Sequence, residues 1–183
     1  ADPIQKRDLR GSDKRYPPIL PGEPTQVWIV EGGVDALALH DIAKRSGREL
    51  PTVIVSGGAN VSGFLDMPHV QDILRKAKGV ALAGENEKDP EVQARTDAAH
   101  LKQFQKISDI VGKTAGCRVI QWAPKADHVK DLAELNAQQR QAEIDKMETL
   151  KNEEAEQLRR EEQDRPQQQQ KAHSPKGLGD DWW

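Results

Sequence analysis

Short apolar runs alternate with amphipathic stretches over the first 136 residues, and this alternation predicts an α/β domain. Four such runs are bounded by turn residues, as buried strands are, and the first is rich in β-branched and aromatic residues. They occupy residues 26–30, 52–55, 80–83 and 118–122. Strands that alternate with helices favour a mostly parallel sheet, here four-stranded, with helices on both of its faces.

Apolar residues recur at helical spacing between these strands. The shared positions are Val34, Leu37, Ala38 and Ile42 in the first helix, Val70, Ile73 and Leu74 in the second, and Phe104, Ile107 and Val111 in the third. Asp89 followed by Pro90 predicts a capped start for the third helix, because Asp accepts amide hydrogen bonds there and Pro suits the first helical position. Each helix therefore separates two strands.

The two ends of the chain differ from this central region. Residues 1–24 contain several prolines and predict a linker or a strap against the domain, which itself spans residues 25–136. Residues 137–165 have a thin apolar stripe and predict a polar helical extension. Residues 166–183 predict a disordered tail, whose final Trp182-Trp183 pair is either a short docking motif or inert.

Charge and cysteine content narrow the function classes. Residues 1–136 contain 19 acidic and 19 basic side chains, so nucleic-acid binding would have to depend on a local patch or a bridging metal. The single Cys117 excludes an internal disulfide and a Cys-rich zinc site, which fits a reducing, cytoplasmic setting. We expect no membrane span and no signal peptide, and the missing initiator Met predicts a piece of a larger protein.

Carboxylates and glycines follow the predicted strands. These residues are Glu31, Gly32, Gly33 and Asp35 after the first strand, Gly57, Gly58 and Asn60 after the second, Glu85 and Glu87 after the third, and Asp127 and Asp131 after the fourth. Ligands of open parallel sheets gather at the carboxyl ends of the strands. Several carboxylates at that edge repel one another unless a cation lies among them, and Mg²⁺ prefers such oxygen ligands.

Within this set the residues have different expected roles. Glu85 and Glu87 are two positions apart, so an extended backbone points both side chains the same way. Glu31 could assist proton transfer, and the glycines would let a phosphate backbone approach closely. The alternative is that the acids are solvated and the glycines form ordinary turns. The dinucleotide-binding glycine pattern is absent, and the five histidines lack metal-ligand spacing and are taken as incidental.

Four segments together resemble the Toprim family. VWIVEGGVDALAL at residues 27–39 resembles its first motif, and VIVSGGAN at 53–60 resembles the glycine-bearing segment of primase-like members. GVALAGENEKD at 79–89 lies where the family has an Asp-x-Asp motif, and PKADHVKDLAEL at 124–135 is similar to its late segment with spaced aspartates. The resemblance implies a Rossmann-like Toprim fold, as in DnaG-type primases, topoisomerases and some nucleases.

The resemblance also implies roles for the acidic residues. Glu31 would be the general acid or base, and Glu85 and Glu87 would bind Mg²⁺ or Mn²⁺. Asp35 matches the acid that closes the first motif, while Asp127 and Asp131 match the late acids. Because Glu-Asn-Glu replaces Asp-x-Asp, each of those two side chains is one methylene longer, and the metal geometry must differ from the family pattern.

Three hypotheses follow for the function. The first is a metal-dependent, primase-like nucleotidyltransferase or DNA-processing domain acting on DNA, most simply single-stranded DNA. The second is a catalytically degenerate Toprim module that positions DNA or docks proteins, as in plasmid mobilisation proteins where such domains follow a relaxase. The third is a nucleotide-binding regulatory domain. The third hypothesis predicts nucleotide affinity that does not depend on DNA. Other domains of a larger parent protein are expected partners.

Overall fold

The computed structural model describes residues 13–58, 61–112, 116–125 and 129–172, with side chains in the last range as far as Glu161. The chain divides into two units, Ala1–Gln138 and Gln139–Trp183. The elements are β1 (Ile19–Leu20), β2 (Glu23–Val30), α1 (Gly33–Arg45), β3 (Pro51–Val55), a short 3-10 helix (Gly63–Asp66), α2 (Pro68–Lys76), β4 (Gly79–Ala83), α3 (Pro90–Val111), β5 (Arg118–Trp122) and α4 (Leu132–Ala172). This order confirms the α/β class.

The sheet has five strands in the order β1-β3-β2-β4-β5. Strands β2 to β5 run parallel to one another, and they match the four strands predicted from sequence. The prediction of four strands missed β1, which lies antiparallel to β3 with Ile19 opposite Ile54. β1 consists of two residues between prolines, which are too few to show the alternation of a strand. It therefore could not be distinguished from the linker or strap predicted for residues 1–24.

Two apolar layers cover the two faces of the sheet. One layer packs α2, α3 and the 3-10 helix onto the sheet around Phe64, Leu74 and Ile107, which are fully buried. The other layer includes α1 and the first residue of α4, Leu132, and contains Val30 and Val53. Because both faces are covered, the inner strands are apolar over most of their length, and all five residues of β3 are buried.

Helix α1 buries a different face from the one its large apolar residues predict. Val34 and Leu37 are 70% and 65% exposed, whereas Ala36 and Ala38 are buried. Small side chains allow the helix to lie close against the strands, so alanines pack there together with Leu39 and the half-buried Ile42. The predicted α1 face was therefore wrong at its first two positions.

Helix α3 begins where its sequence predicts. The Asp89 side chain accepts hydrogen bonds from the amides of Glu91 and Val92 at 2.8 and 3.3 Å, and Pro90 occupies the first turn. On the inner face Ile107 and Val111 are buried. The capping chemistry thus sets the start of the longest helix that packs on the sheet.

The second unit, described by itself, is helical as far as Ala172, seven residues beyond the predicted end of the polar extension. Its described side chains, residues 139–161, are all exposed. The predicted docking pair Trp182-Trp183 lies outside the described residues. In the described part of the chain, no helix is both long and apolar enough to cross a membrane.

Candidate functional site

The carboxyl ends of the parallel strands bring five predicted carboxylates to one edge of the sheet. We call this group the acidic rim: Glu31, Asp35, Glu85, Glu87 and Asp131. Four of its members, all except Glu87, line a single small cavity of about 10 Å³, together with Val30, Ala83, Gly84 and Leu132. Roughly 10–15 Å³ is the space that one water molecule needs, so the cavity is of single-water size.

Glu31 lies at the end of β2, beside the glycine turn that follows β3. The backbone amides of Ser56 and Gly57 donate to the carbonyls of Val30 and Glu31 at 2.8 and 3.0 Å. A Cβ at Gly58 would lie 3.9 Å from the Glu31 carboxylate oxygen Oε1. The sheet therefore continues as a backbone ladder that fixes Glu31 against this turn.

The glycine turn requires glycine for its backbone conformation. Gly57 and Gly58 have φ of 77° and 146°, which side chains with a Cβ rarely adopt. Gly32 is constrained differently, because a Cβ there would approach the Asp35 carboxylate to 2.9 Å, whereas Gly33 faces open space. Backbone conformation thus requires glycine at positions 57 and 58, whereas the contact with Asp35 requires it at position 32. Asn60 lies outside the described residues.

Asp35 is buried and holds two chain segments together. One carboxylate oxygen accepts from the amide of Gly32 at 3.3 Å, and the other accepts from the amide of Ala133 at 3.1 Å. Burial raises the pKa of Asp35, repulsion from Asp131 adds to that, and the two amide hydrogen bonds oppose it. Asp35 therefore ties the start of α1 to the start of α4.

Asp131 caps α4. Its side chain accepts from the amide of Glu134 at 2.9 Å, while the Glu134 side chain accepts from the amide of Lys130 at 2.6 Å. Reciprocal bonds of this kind satisfy amides that a helix start leaves unpaired. The last predicted acid, Asp127, lies outside the described residues.

Glu85 and Glu87 contact the same ammonium group. The Lys130 Nζ lies 3.5 Å from Glu85 Oε2 and 3.4 Å from Glu87 Oε1. The two glutamates therefore reach one point, as their spacing predicts. A protein cation, which the sequence analysis did not assign, already lies between them.

At both Glu85 and Lys130, burial and ion pairing shift the pKa in opposite directions. Burial, together with repulsion from Glu31, raises the pKa of Glu85 to about 7, although Lys130 acts to lower it. Partial burial lowers the pKa of Lys130, but the combined attraction of Glu85 and Glu87 outweighs it and raises that pKa. Burial prevails at Glu85, because its side chain is 13% exposed and the ammonium is beyond ideal hydrogen-bond distance.

Two amide side chains hold the loop that carries these glutamates. Asn86 donates to the carbonyls of Pro124 and Val129 at 3.2 and 2.9 Å. Gln93 of α3 accepts from the Glu87 amide and donates to the Glu85 carbonyl at 3.2 Å. The loop is thus fixed on both sides.

The arrangement is not a ready-made metal centre. Among the described residues, no group of three or more His, Cys, Asp or Glu side chains converges so as to hold a metal ion. The rim has the oxygen chemistry that Mg²⁺ prefers, but Asp35 and Asp131 use carboxylate oxygens on backbone amides. Loading a divalent cation would therefore require side chains, Lys130 first, to move.

Sequence reasoning missed Lys130, Asn86, Gln93 and His100. Histidine spacing predicts no role for His100, yet it is 7% exposed and lies near Gly84, where a Cβ would be 3.7 Å from its Nδ1. One signal was available: His100 and the buried Gln103 share the helical face of Ile107 and Val111. Polar residues at core-facing positions of an amphipathic helix indicate a specific contact.

Comparison with models of protein families, with curated proteins and with solved structures finds no match to this chain.

Proposed function

We propose that the acidic rim binds a divalent cation, Mg²⁺ or Mn²⁺, and that the domain acts on phosphodiester bonds of DNA in the Toprim manner. The observation that carries the proposal is the meeting of Glu31, Asp35, Glu85 and Asp131 around one cavity at the carboxyl ends of parallel strands. This is where open α/β sheets bind ligands. The resemblance of residues 27–39 to the first Toprim motif supports the same assignment.

Electrostatics favour a cation at this rim. Burial and neighbouring carboxylates raise the pKa of Glu85 to about 7, so ionising the whole rim without a counter-ion is costly. Glu85 and Glu87 would hold the cation, since both already reach one positive group. A bound divalent cation would neutralise phosphate charge and orient the attacking oxygen.

The remaining residues would act directly on the substrate or position others. Glu31 would accept or donate the proton of the reacting hydroxyl, because it lines the cavity without a capping role. Gly57 and Gly58 present a bare backbone beside it, which a phosphate can approach. Lys130, once displaced from the glutamates, would be available to pair with a phosphate oxygen.

A second candidate is a catalytically degenerate module that positions DNA or docks proteins inside a larger mobilisation protein. Lys130 favours this alternative, because its ammonium already supplies positive charge to Glu85 and Glu87. The Glu-Asn-Glu sequence in place of Asp-x-Asp points the same way. In this case the lysine would be a permanent substitute for the metal.

Calorimetric titration with Mg²⁺ and Mn²⁺ distinguishes the two. For the first candidate, the wild type binds at millimolar metal, and Glu85→Gln/Glu87→Gln abolishes binding. Lys130→Met binds roughly tenfold more tightly, because a competing charge in contact with the ligands is gone. The control Glu148→Gln/Glu153→Gln, which removes two exposed acids of α4, leaves binding unchanged.

If neither the wild type nor Lys130→Met takes up metal at millimolar concentration, the catalytic proposal is wrong. Binding of a fluorescent single-stranded oligonucleotide that persists in EDTA would then support the positioning module.

A further inference from the structure

A larger cleft opens beside the acidic rim, between the ends of β4 and β5 and the first half of α3. Its volume is about 340 Å³, within the range of pockets that hold small ligands. We call it the α3 cleft. It is lined by Leu82, Gly84, Glu85, Asn86, Gln93, Asp97, His100, Leu101, Gln121, Trp122 and Ala123.

His100 is the polar group in this cleft that most clearly points to a ligand. It is 7% exposed, and among the described residues neither ring nitrogen has a hydrogen-bond partner. No buried side-chain nitrogen or oxygen in the described part of the chain is sealed without a partner, so these nitrogens open to the cleft. Burial lowers the pKa of His100, against the pull of Glu31 and Asp97. The neutral ring offers one donor and one acceptor.

The other walls combine directional polar groups with apolar surface. One oxygen of Asp97 accepts from Gln93 at 2.7 Å, which fixes the carboxylate at the mouth of the cleft. Gln121 offers an amide that has no hydrogen-bond partner among the described residues. Leu82 is buried at the base, and Leu101 is 60% exposed at the mouth. Such a cleft suits a neutral, flat ring with donors and acceptors along its edge.

The cleft and the rim are adjacent. Gly84 and Glu85 line both the α3 cleft and the small cavity of the acidic rim. Because Gly84 has no side chain, it leaves His100 Nδ1 uncovered on this side, where a Cβ would approach that nitrogen to 3.7 Å. The carboxylates of Glu85 and Asp97 disfavour an anionic group inside the cleft itself. A ligand here has a neutral ring in the cleft, and its charged end belongs at the rim.

We propose that the α3 cleft binds the base of a nucleotide, with a preference for bases that carry an amino group, and directs the sugar and phosphates toward the acidic rim. The choice of a nucleotide rests on the proposed function, since the rim is there assigned to phosphate chemistry. Asp97 sets the preference, because a carboxylate accepts from an amino group and repels the carbonyl oxygen of thymine.

The test uses nucleosides, which have no phosphate, in EDTA, so its outcome is independent of metal binding. Deoxyadenosine, deoxycytidine and thymidine are titrated into the ¹⁵N-labelled full chain, and amide shifts are followed by NMR. We expect shifts at residues 97–101 and 121–123, with Kd on the order of 1–10 mM for the two amino-bearing nucleosides and weaker binding of thymidine.

The variants lie at exposed positions, where substitutions leave the fold intact, so that a change in binding reports on the cleft itself. Leu101→Ala should weaken binding roughly threefold to tenfold by removing apolar contact. Asp97→Asn should remove the discrimination against thymidine, because an amide can donate to its carbonyl. Gln105→Ala, on an exposed position of the same helix, is the control and should change nothing.

The proposal is overturned if cleft amides do not shift with any nucleoside, or if Leu101→Ala binds as the wild type does. Nucleoside binding in a protein that takes up no metal would uphold the cleft and reject the catalytic role of the rim. Metal uptake without nucleoside binding would reject the cleft proposal and support the catalytic role of the rim.

Discussion

At Glu85, burial favours a neutral carboxyl group, whereas the cation binding proposed for the acidic rim favours an ionised one. Its side chain is 13% exposed, and it lies among other carboxylates at the end of β4. Burial raises its pKa to about 7 from an ordinary value of 4.5. The folded protein therefore retains a proton on Glu85 at pH values where the unfolded chain has lost it.

This difference predicts how stability depends on pH. Between pH 4.5 and 7 the folded state binds the extra proton, so the free energy of unfolding falls as pH rises, by up to about 3 kcal/mol in total. Above pH 7 the loss is complete. Glu85→Gln should remove this loss and stabilise the protein at pH 8 by about 1–3 kcal/mol, with little effect at pH 4.5.

Urea unfolding in EDTA at the two pH values measures the effect. Glu148→Gln, which removes an exposed acid of α4, is the control and should give no difference between them. A Glu85→Gln variant that is destabilised equally at pH 4.5 and pH 8 would show that the Lys130 ion pair, and not burial, dominates this position.

Single residues also show why the site was only half predictable. The carboxylates could be predicted, because position after a parallel strand fixes which edge of the sheet a residue joins, and Glu31, Asp35, Glu85 and Asp131 do line one cavity. Lys130 could not, since its contact with Glu85 and Glu87 depends on the path of the chain between β5 and α4. No local sequence period encodes that path.

Among the secondary-structure elements, the central strands and helices were predictable and the edge strand was not. The four parallel strands contain short apolar runs, and the helices between them have apolar residues at helical spacing. β1 has two residues, and its identity comes from pairing with β3 more than thirty positions later. Helix α1 was located correctly, but its buried alanines were less conspicuous than Val34 and Leu37.

The turn between β1 and β2 gives a prediction about this edge. A Cβ at Gly22 would collide with the backbone carbonyls of Leu50 and Pro51, which cannot move without shifting β3. Gly22→Ala should therefore lower the free energy of unfolding by about 1–3 kcal/mol, the usual cost of overpacking. Gly79→Ala, at the start of β4 where a Cβ meets nothing within 4 Å, is the matched control.

Thermal and urea unfolding of the two variants measure this change in the free energy of unfolding. The control should lie within about 0.5 kcal/mol of the wild type. If Gly22→Ala is as stable as Gly79→Ala, the turn is not held tightly against β3, and β1 contributes little to the stability of the sheet.

The chain as a whole consists of an α/β unit followed by a helical unit, and the two differ in how much apolar surface they bury. The first unit buries apolar residues on both sides of a sheet, whereas every described side chain from 139 to 161 is exposed. A polar helix of this kind adds little buried apolar area, and burial of such area is the main source of folding free energy. The acidic rim and the α3 cleft lie entirely in the first unit.

Truncation after Glu143 tests whether the first unit is sufficient. The shortened chain retains the sheet, the Asp131 cap and the first turns of α4, including Asn136, which accepts from Arg45 at 2.6 Å. Its Tm should lie within about 4 °C of the full chain, since roughly 1 kcal/mol shifts Tm by 2–8 °C in domains of this size. The far-ultraviolet helical signal should fall, and the nucleoside-induced shifts at residues 97–101 should remain. A truncated chain that no longer folds cooperatively would instead mean that the polar helix supplies stability through contacts other than apolar burial.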